Sequence, residues 1–283
     1  MDYKAMAEYH WQNKADITVA VQPVAKDEAG RFGVLKRESD GIISDFFEKP
    51  KDPDIQKRFV SRNDPERPFL GSMGIYMFNT KVLVDFINNF PDYDDFGGDI
   101  IPSAIKTHKV FGFDFEGYWQ DIGTIRSFYE TNLMLTTSKS PFDFYDAKLP
   151  IYTDTRYLPS SIVEDSKLKD VLIAEGSRVL KCDITHSIIG IRSQIASGCV
   201  IKDSIVMGSD YFERNTGEVP IGIGANCHIE GAILDKNVRI GENVTIRPFP
   251  RNTDIDSEKW YVRDGIVILP KDVEIPSGTV IAP

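Results

Sequence analysis

Three short runs place charged or hydroxyl side chains beside strand-like stretches: Phe47-Glu48-Lys49-Pro50, Gly71-Ser72-Met73-Gly74-Ile75-Tyr76 and Trp119-Gln120-Asp121-Ile122-Gly123-Thr124. An ammonium such as Lys49 can pair with an anion, and a carboxylate such as Glu48 can accept hydrogen bonds. An acid such as Asp121 can ligate a hard divalent cation. Taken locally, the same residues also read as a solvated ion pair and a loop cap, because short charged motifs are mostly surface features. His186 and His228 could each serve as the base of an acyltransferase or simply pack on a surface, and nothing beside either suggests a triad. Lys236, in Asp235-Lys236-Asn237, and Lys271, in Leu269-Pro270-Lys271, read locally as solvated turn lysines.

The elements that must hold these residues change character along the chain. Up to about residue 137, apolar strands alternate with amphipathic helices, the pattern of an α/β sheet domain. Strands are predicted at Ile17 to Val21, Gly33 to Lys36, Ile42 to Phe47, Met73 to Phe78 and Val110 to Phe115. Helices are predicted at Lys81 to Asn88 and after Thr124, a suitable N-cap, while Lys51 to Pro68 reads as a solvated insertion with a short helix. A linker with Pro141, Pro150 and Pro159 runs over 138–159. From 160 to 283 single aliphatic residues recur every five or six positions, at Ile162, Leu168, Ile173, Val179, Ile184, Ile189, Ile195 and Val200, then at Ile223, Ile229, Val238, Val244, Val273 and Thr279. Neither a helix nor a hairpin sheet has that period. Hexapeptide repeats of this kind build a triangular coil, a left-handed parallel β-helix, with small residues at its corners. Gly208 to Pro220, including Arg214-Asn215-Thr216-Gly217, and Arg247 to Asp264 interrupt the period and are expected to protrude as loops.

Bulk properties narrow the partners. With 283 residues, 41% of them hydrophobic, the chain is long enough for two cores. Its net charge of -10 opposes nucleic acid and anionic membranes as default partners. Cys182, Cys199 and Cys227 form no paired framework and read as reduced core residues. No apolar run reaches a membrane span and no basic-then-apolar leader follows Met1, so a cytoplasmic location is expected, or a plastid if the source is a plant.

Taken in order and followed by hexapeptide repeats, the three runs resemble the nucleotide-sugar pyrophosphorylases. Asp121 to Leu133 (DIGTIRSFYETNL), Phe144 to Tyr152 (FYDAKLPIY), His186 to Ser193 (HSIIGIRS) and Pro220 to Gly224 (PIGIG) narrow the resemblance to ADP-glucose pyrophosphorylase of the cyanobacterial and plant kind, over essentially the whole chain. The resemblance implies a partial doubly wound nucleotidyltransferase domain joined to the β-helix. It also implies the glucose-1-phosphate adenylyltransferase reaction of glycogen and starch synthesis, in which ATP and α-D-glucose 1-phosphate give ADP-glucose and pyrophosphate with Mg²⁺. Gly33, Glu48, Lys49 and Ser72 then match glucose 1-phosphate positions, with Lys49 also catalytic, and Asp121 matches a catalytic metal ligand. Lys236 and Lys271, joined by Arg156 at the domain junction, match positions that hold an anionic effector such as 3-phosphoglycerate or phosphate, in a homo- or hetero-tetramer.

The family also carries a glycine-rich, Arg-bearing nucleotide loop and a second metal aspartate upstream of a segment resembling Met1-Asp2-Tyr3. This chain shows neither, so it is expected to be truncated at its N-terminus and inactive alone. The other readings are a non-catalytic regulatory or structural subunit, a pyrophosphorylase for another sugar nucleotide, and an acyltransferase.

Overall fold

The structure is a computed structural model and describes residues 1–141, 143–148, 150–213 and 219–283. The loop expected at Arg214-Asn215-Thr216-Gly217 lies outside the described residues. The chain divides into two compact units, Met1–Gly117 and Tyr118–Pro283.

The first unit is an α/β sheet in which the five strands, α2 and α3 follow the predicted order and α1 and α4 are additional: α1 (Tyr3–Gln12), β1 (Ile17–Val24), β2 (Gly33–Arg37), β3 (Ile43–Glu48), α2 (Pro53–Arg58), β4 (Phe69–Phe78), α3 (Thr80–Asn89), α4 (Ile101–Ala104) and β5 (Val110–Asp114). The sheet runs β3-β2-β4-β1-β5; β1 pairs parallel with β5 and the other pairs are antiparallel. The first five residues of β1 are all buried, as a central strand covered on both faces requires. Ile17, Val19, Val21, Leu35, Leu70 and Ile101 form the core. Helix α1 starts where the Asp2 carboxylate accepts the Lys4 N–H at 2.9 Å, and it buries Met6 and His10, the latter bonded to Thr18 Oγ1 at 2.8 Å.

The second unit opens with an irregular stretch and α5 (Ile125–Met134), which is N-capped by Thr124 in a reciprocal pair with Ser127. Tyr129 and Leu133 bury against Ile205, Ile233 and Ile266 of the repeat region. This helix therefore packs on the coil and belongs to the second compact unit, Tyr118–Pro283.

The coil itself consists of short parallel strands stacked in three ladders. One joins Val163, Val179, Ile195, Ile223, Ile240 and Ile275; a second joins Leu168, Ile184, Ile201, Ile229, Ile246 and Ile281; a third joins Ile173, Ile189, Val206, Leu234 and Leu269. Corner residues adopt the left-handed conformation, and Asn supplies it alongside Gly: Asn226, Asn237 and Asn243 have φ of 58°, 62° and 57°. Three periodic residues are corrected by this register, the first being Ile162, whose place in the first ladder Val163 takes. Val200 is 39% exposed while Cys199 and Ile201 beside it are buried, and Ile281 rather than Thr279 continues the second ladder. At Val200 the offset is one residue, which with a side-chain period of two exchanges the inner and outer faces. The stretch Arg247 to Asp264 is also not a simple loop, because Ile255–Asp256 and Tyr261–Arg263 form a hairpin that extends antiparallel onto Ile266–Leu269.

Candidate functional site

Three adjacent strands of the first unit bring the predicted sugar-phosphate residues into one row. Gly33 of β2 pairs with Glu48 of β3, and it stands one residue beyond the Val34–Gly71 pair, so Ser72 of β4 flanks it on the other side. Gly33 is constrained on its own strand: an added Cβ would lie 2.4 Å from Phe46 Cζ and 2.7 Å from Glu48 Oε2. A side chain there would enter the space of the Glu48 carboxylate, which is the reason a backbone without one belongs at this point.

Lys49 follows at the end of β3 with φ of +48°, an uncommon backbone state for lysine, and its N–H donates to Phe32 O at 3.1 Å. Its ammonium lies 3.3 Å from Glu48 Oε1 and is 62% exposed, so it reaches solvent as a cation beside a carboxylate. Strained backbone at a charged residue is the kind of local cost that structure maintains around a site.

The register adds residues that pattern reading missed. Ser72 is buried, bonds Tyr76 Oη at 3.3 Å and accepts the Gly74 N–H at 3.2 Å. Burial pushes the Tyr76 phenol above its ordinary range; the Ser72 hydrogen bond opposes this, and the Glu48 and Asp95 carboxylates add to it. Tyr76 stacks on Phe96 at 5.6 Å, in the π-helical turn Phe96–Ile100, whose start Asp95 caps by accepting the Gly98 N–H. A Cβ on Gly97 would stand 2.6 Å from Glu48 Oε2. The site thus has two carboxylates, two hydroxyls, one cation and two glycines whose missing side chains leave room for the Glu48 carboxylate. The signal that could have found the second half is Asp95-Phe96-Gly97-Gly98, a glycine pair between acids with no hairpin for it to turn.

Asp121, Arg156, Lys236 and Lys271 all belong to the second unit. Asp121 lies in an irregular segment several residues past β5, not at a strand end, and its Oδ1 accepts the Gly123 N–H at 3.0 Å. Among the described residues no group of three or more His, Cys, Asp or Glu could by itself hold a metal ion. A single carboxylate still suits Mg²⁺, which is commonly held by one or two carboxylates with water and substrate phosphates. Lys236 and Lys271 are brought together, but on a carboxylate: their ammonium groups lie 2.8 Å and 2.7 Å from the two oxygens of Asp210. Arg156 is exposed in the stretch before the coil. His186 Nδ1 lies 2.6 Å from Asp203 Oδ1, within a cavity of about 530 Å³ that Tyr129, Leu133 and Ile266 also line.

The sheet unit and the stacked coil define the class, a nucleotidyltransferase domain joined to a left-handed β-helix. Residues 1–138 match the family described as nucleotidyl transferase, and residues 156–280 match the GLGC left-handed parallel β-helix domain. Glucose-1-phosphate adenylyltransferase large subunit 1, chloroplastic/amyloplastic, of Zea mays is 39% identical over 300 residues, covering 99% of this chain and 58% of that protein. The chain belongs to the glucose-1-phosphate adenylyltransferase, or ADP-glucose pyrophosphorylase, family.

Proposed function

We propose that the first unit binds α-D-glucose 1-phosphate for transfer of an adenylyl group from ATP, giving ADP-glucose and pyrophosphate. The row Glu48–Gly33–Ser72 across three strands, with Lys49 at its end, carries this reading. Lys49 places a cation on the sugar phosphate, Glu48 accepts from sugar hydroxyls, Ser72 contributes its hydroxyl, and Gly33 lets the ligand approach the backbone. A phosphate oxygen of the sugar then attacks the α-phosphorus of ATP in line as the bond to pyrophosphate breaks, so these residues serve mainly by alignment and charge neutralisation. Asp121 would hold Mg²⁺, which supplies charge stabilisation at the phosphates when bound. Lys236 and Lys271 are read as the anion-binding groups of an effector site for phosphate or 3-phosphoglycerate.

A second reading has a specific support: the maize relative is by name a large subunit, and a coil of this kind offers a regular surface for assembly. On that reading the chain regulates or supports a partner rather than turning over. Calorimetric titration of the full chain with glucose 1-phosphate tests the primary proposal. Lys49→Ala should weaken binding roughly tenfold to a hundredfold, the range for a lost charge-assisted contact. Unchanged affinity in Lys49→Ala would remove Lys49 from the site, and co-purification with a longer homologue would favour the second reading.

A further inference from the structure

The two effector lysines do not stand open. Asp210 Oδ1 accepts from Lys236 Nζ at 2.8 Å and Asp210 Oδ2 lies 2.7 Å from Lys271 Nζ, so one carboxylate spends one oxygen on each ammonium. Its orientation is held by Asn237, which is 4% exposed: Asn237 Oδ1 accepts the Asp210 N–H at 2.8 Å and Asn237 Nδ2 donates to Oδ2 at 3.2 Å. Asn237 Nδ2 also donates to Asp272 at 2.9 Å, and the charges of Asp272 and Asp235 act on Lys271 as well. Two cations therefore face three carboxylates. An incoming phosphate meets a net negative charge here while all three carboxylates stay, and both ammonium groups are free to receive it only when Asp210 withdraws.

We infer that Asp210 is an internal competitor for the anion that Lys236 and Lys271 bind, its carboxylate holding the place of a phosphate group and setting the concentration at which an effector can enter. This rests on the reading of the two lysines as anion-binding groups. Asp210 is the carboxylate placed to leave. It follows the short strand Ile205–Val206 outside all three ladders, so its displacement costs no ladder hydrogen bond. The lysines come from turns of successive rungs, with Asp272 N–H bonded to Lys236 O at 3.0 Å, and that backbone link keeps them in place when the carboxylate moves. The two donors and their spacing suit an oxyanion with at least two free oxygens, such as a phosphate monoester or inorganic phosphate.

The test is calorimetric titration of the full chain with inorganic phosphate at constant ionic strength, comparing the unaltered chain with Asp210→Asn, Lys236→Ala and Lys271→Ala. Asp210→Asn should bind phosphate roughly threefold to tenfold more tightly, as expected for releasing two partly exposed ion pairs. Each lysine substitution should weaken binding. Equal affinity in Asp210→Asn, with the lysine variants still weakened, overturns the competitor and leaves the lysine site standing. Phosphate binding that neither lysine substitution alters, or none in any form, overturns the site itself. Asp210→Ser, checked by circular dichroism, gives the same discrimination if the Asn variant folds poorly.

Discussion

Gly97 lies so close to the carboxylate of Glu48 that an added Cβ would stand 2.6 Å from Oε2. The obstructing atom is the end of a flexible side chain, so Gly97→Ala is accommodated by swinging Glu48 away. Stability should change by less than about 1 kcal/mol while glucose 1-phosphate affinity falls about tenfold, compared by denaturation and calorimetry. A variant that bound the sugar phosphate normally would remove Glu48 from the site.

Lys49 separates function from stability in the opposite direction. Its φ of +48° costs a lysine but not a glycine. Lys49→Gly should leave stability unchanged or raise it by up to ~1 kcal/mol while sugar-phosphate binding is lost as in Lys49→Ala. A destabilised Lys49→Gly would show that the backbone state is not strained.

Leu133 is 4% exposed and anchors α5 to Ile205, Ile233 and Ile266. Leu133→Ala should cost ~2–4 kcal/mol in denaturant unfolding of the full chain, with amide protection in α5 lost first by hydrogen exchange. Protection lost evenly across the coil instead would contradict the packing.

Much of the fold and site is legible in the sequence, for physical reasons that differ by residue. Ile184, Ile195 and Ile223 are legible because a core with one inward residue per side imposes its period on the chain. Val200 is misplaced because two consecutive aliphatics give the period no way to choose a face. Glu48, Lys49 and Ser72 stand in recognisable short runs, whereas Tyr76, Asp95 and Gly97 join them only through strand register and a π-helical turn. Asp210 falls within an interruption of the repeat, where no pattern reports what it touches. The hydrophobic periodicity of α5 marks it as amphipathic but does not say which unit receives its apolar face.

The Asn252 N–H and the Arg126 guanidinium hold the Asp264 carboxyl below its usual range. A carboxyl lowered in the folded state stabilises fully above its unfolded pKa, near ~4, and loses that contribution as pH falls toward the folded value. Asp264→Asn should therefore weaken the fold at neutral pH and make its stability less steep below about pH 4, followed by circular dichroism. An unchanged acid limb would show that the Arg126–Asp264 contact contributes nothing.

Cys182, Cys199 and Cys227 stack inside the coil, 4%, 1% and 1% exposed, with Asp183 N–H bonded to Cys199 O and Val200 N–H to Cys227 O. An aromatic disulfide reagent should label none of them in the native chain and all three in denaturant. Rapid native labelling would show that the coil opens there.

The three ladders make the coil mechanically directional. Each rung rests on its neighbours, α5 braces those of Ile205, Ile233 and Ile266, and the first is half uncovered, with Ile162 at 51%, Val163 at 44% and Leu168 at 41% exposure. Such a stack comes undone like a zip, rung by rung from its loosest tooth, and amide exchange should slow from Leu168 through Ile184 to Ile229. A force applied at that end would meet a series of small yields in place of one large rupture.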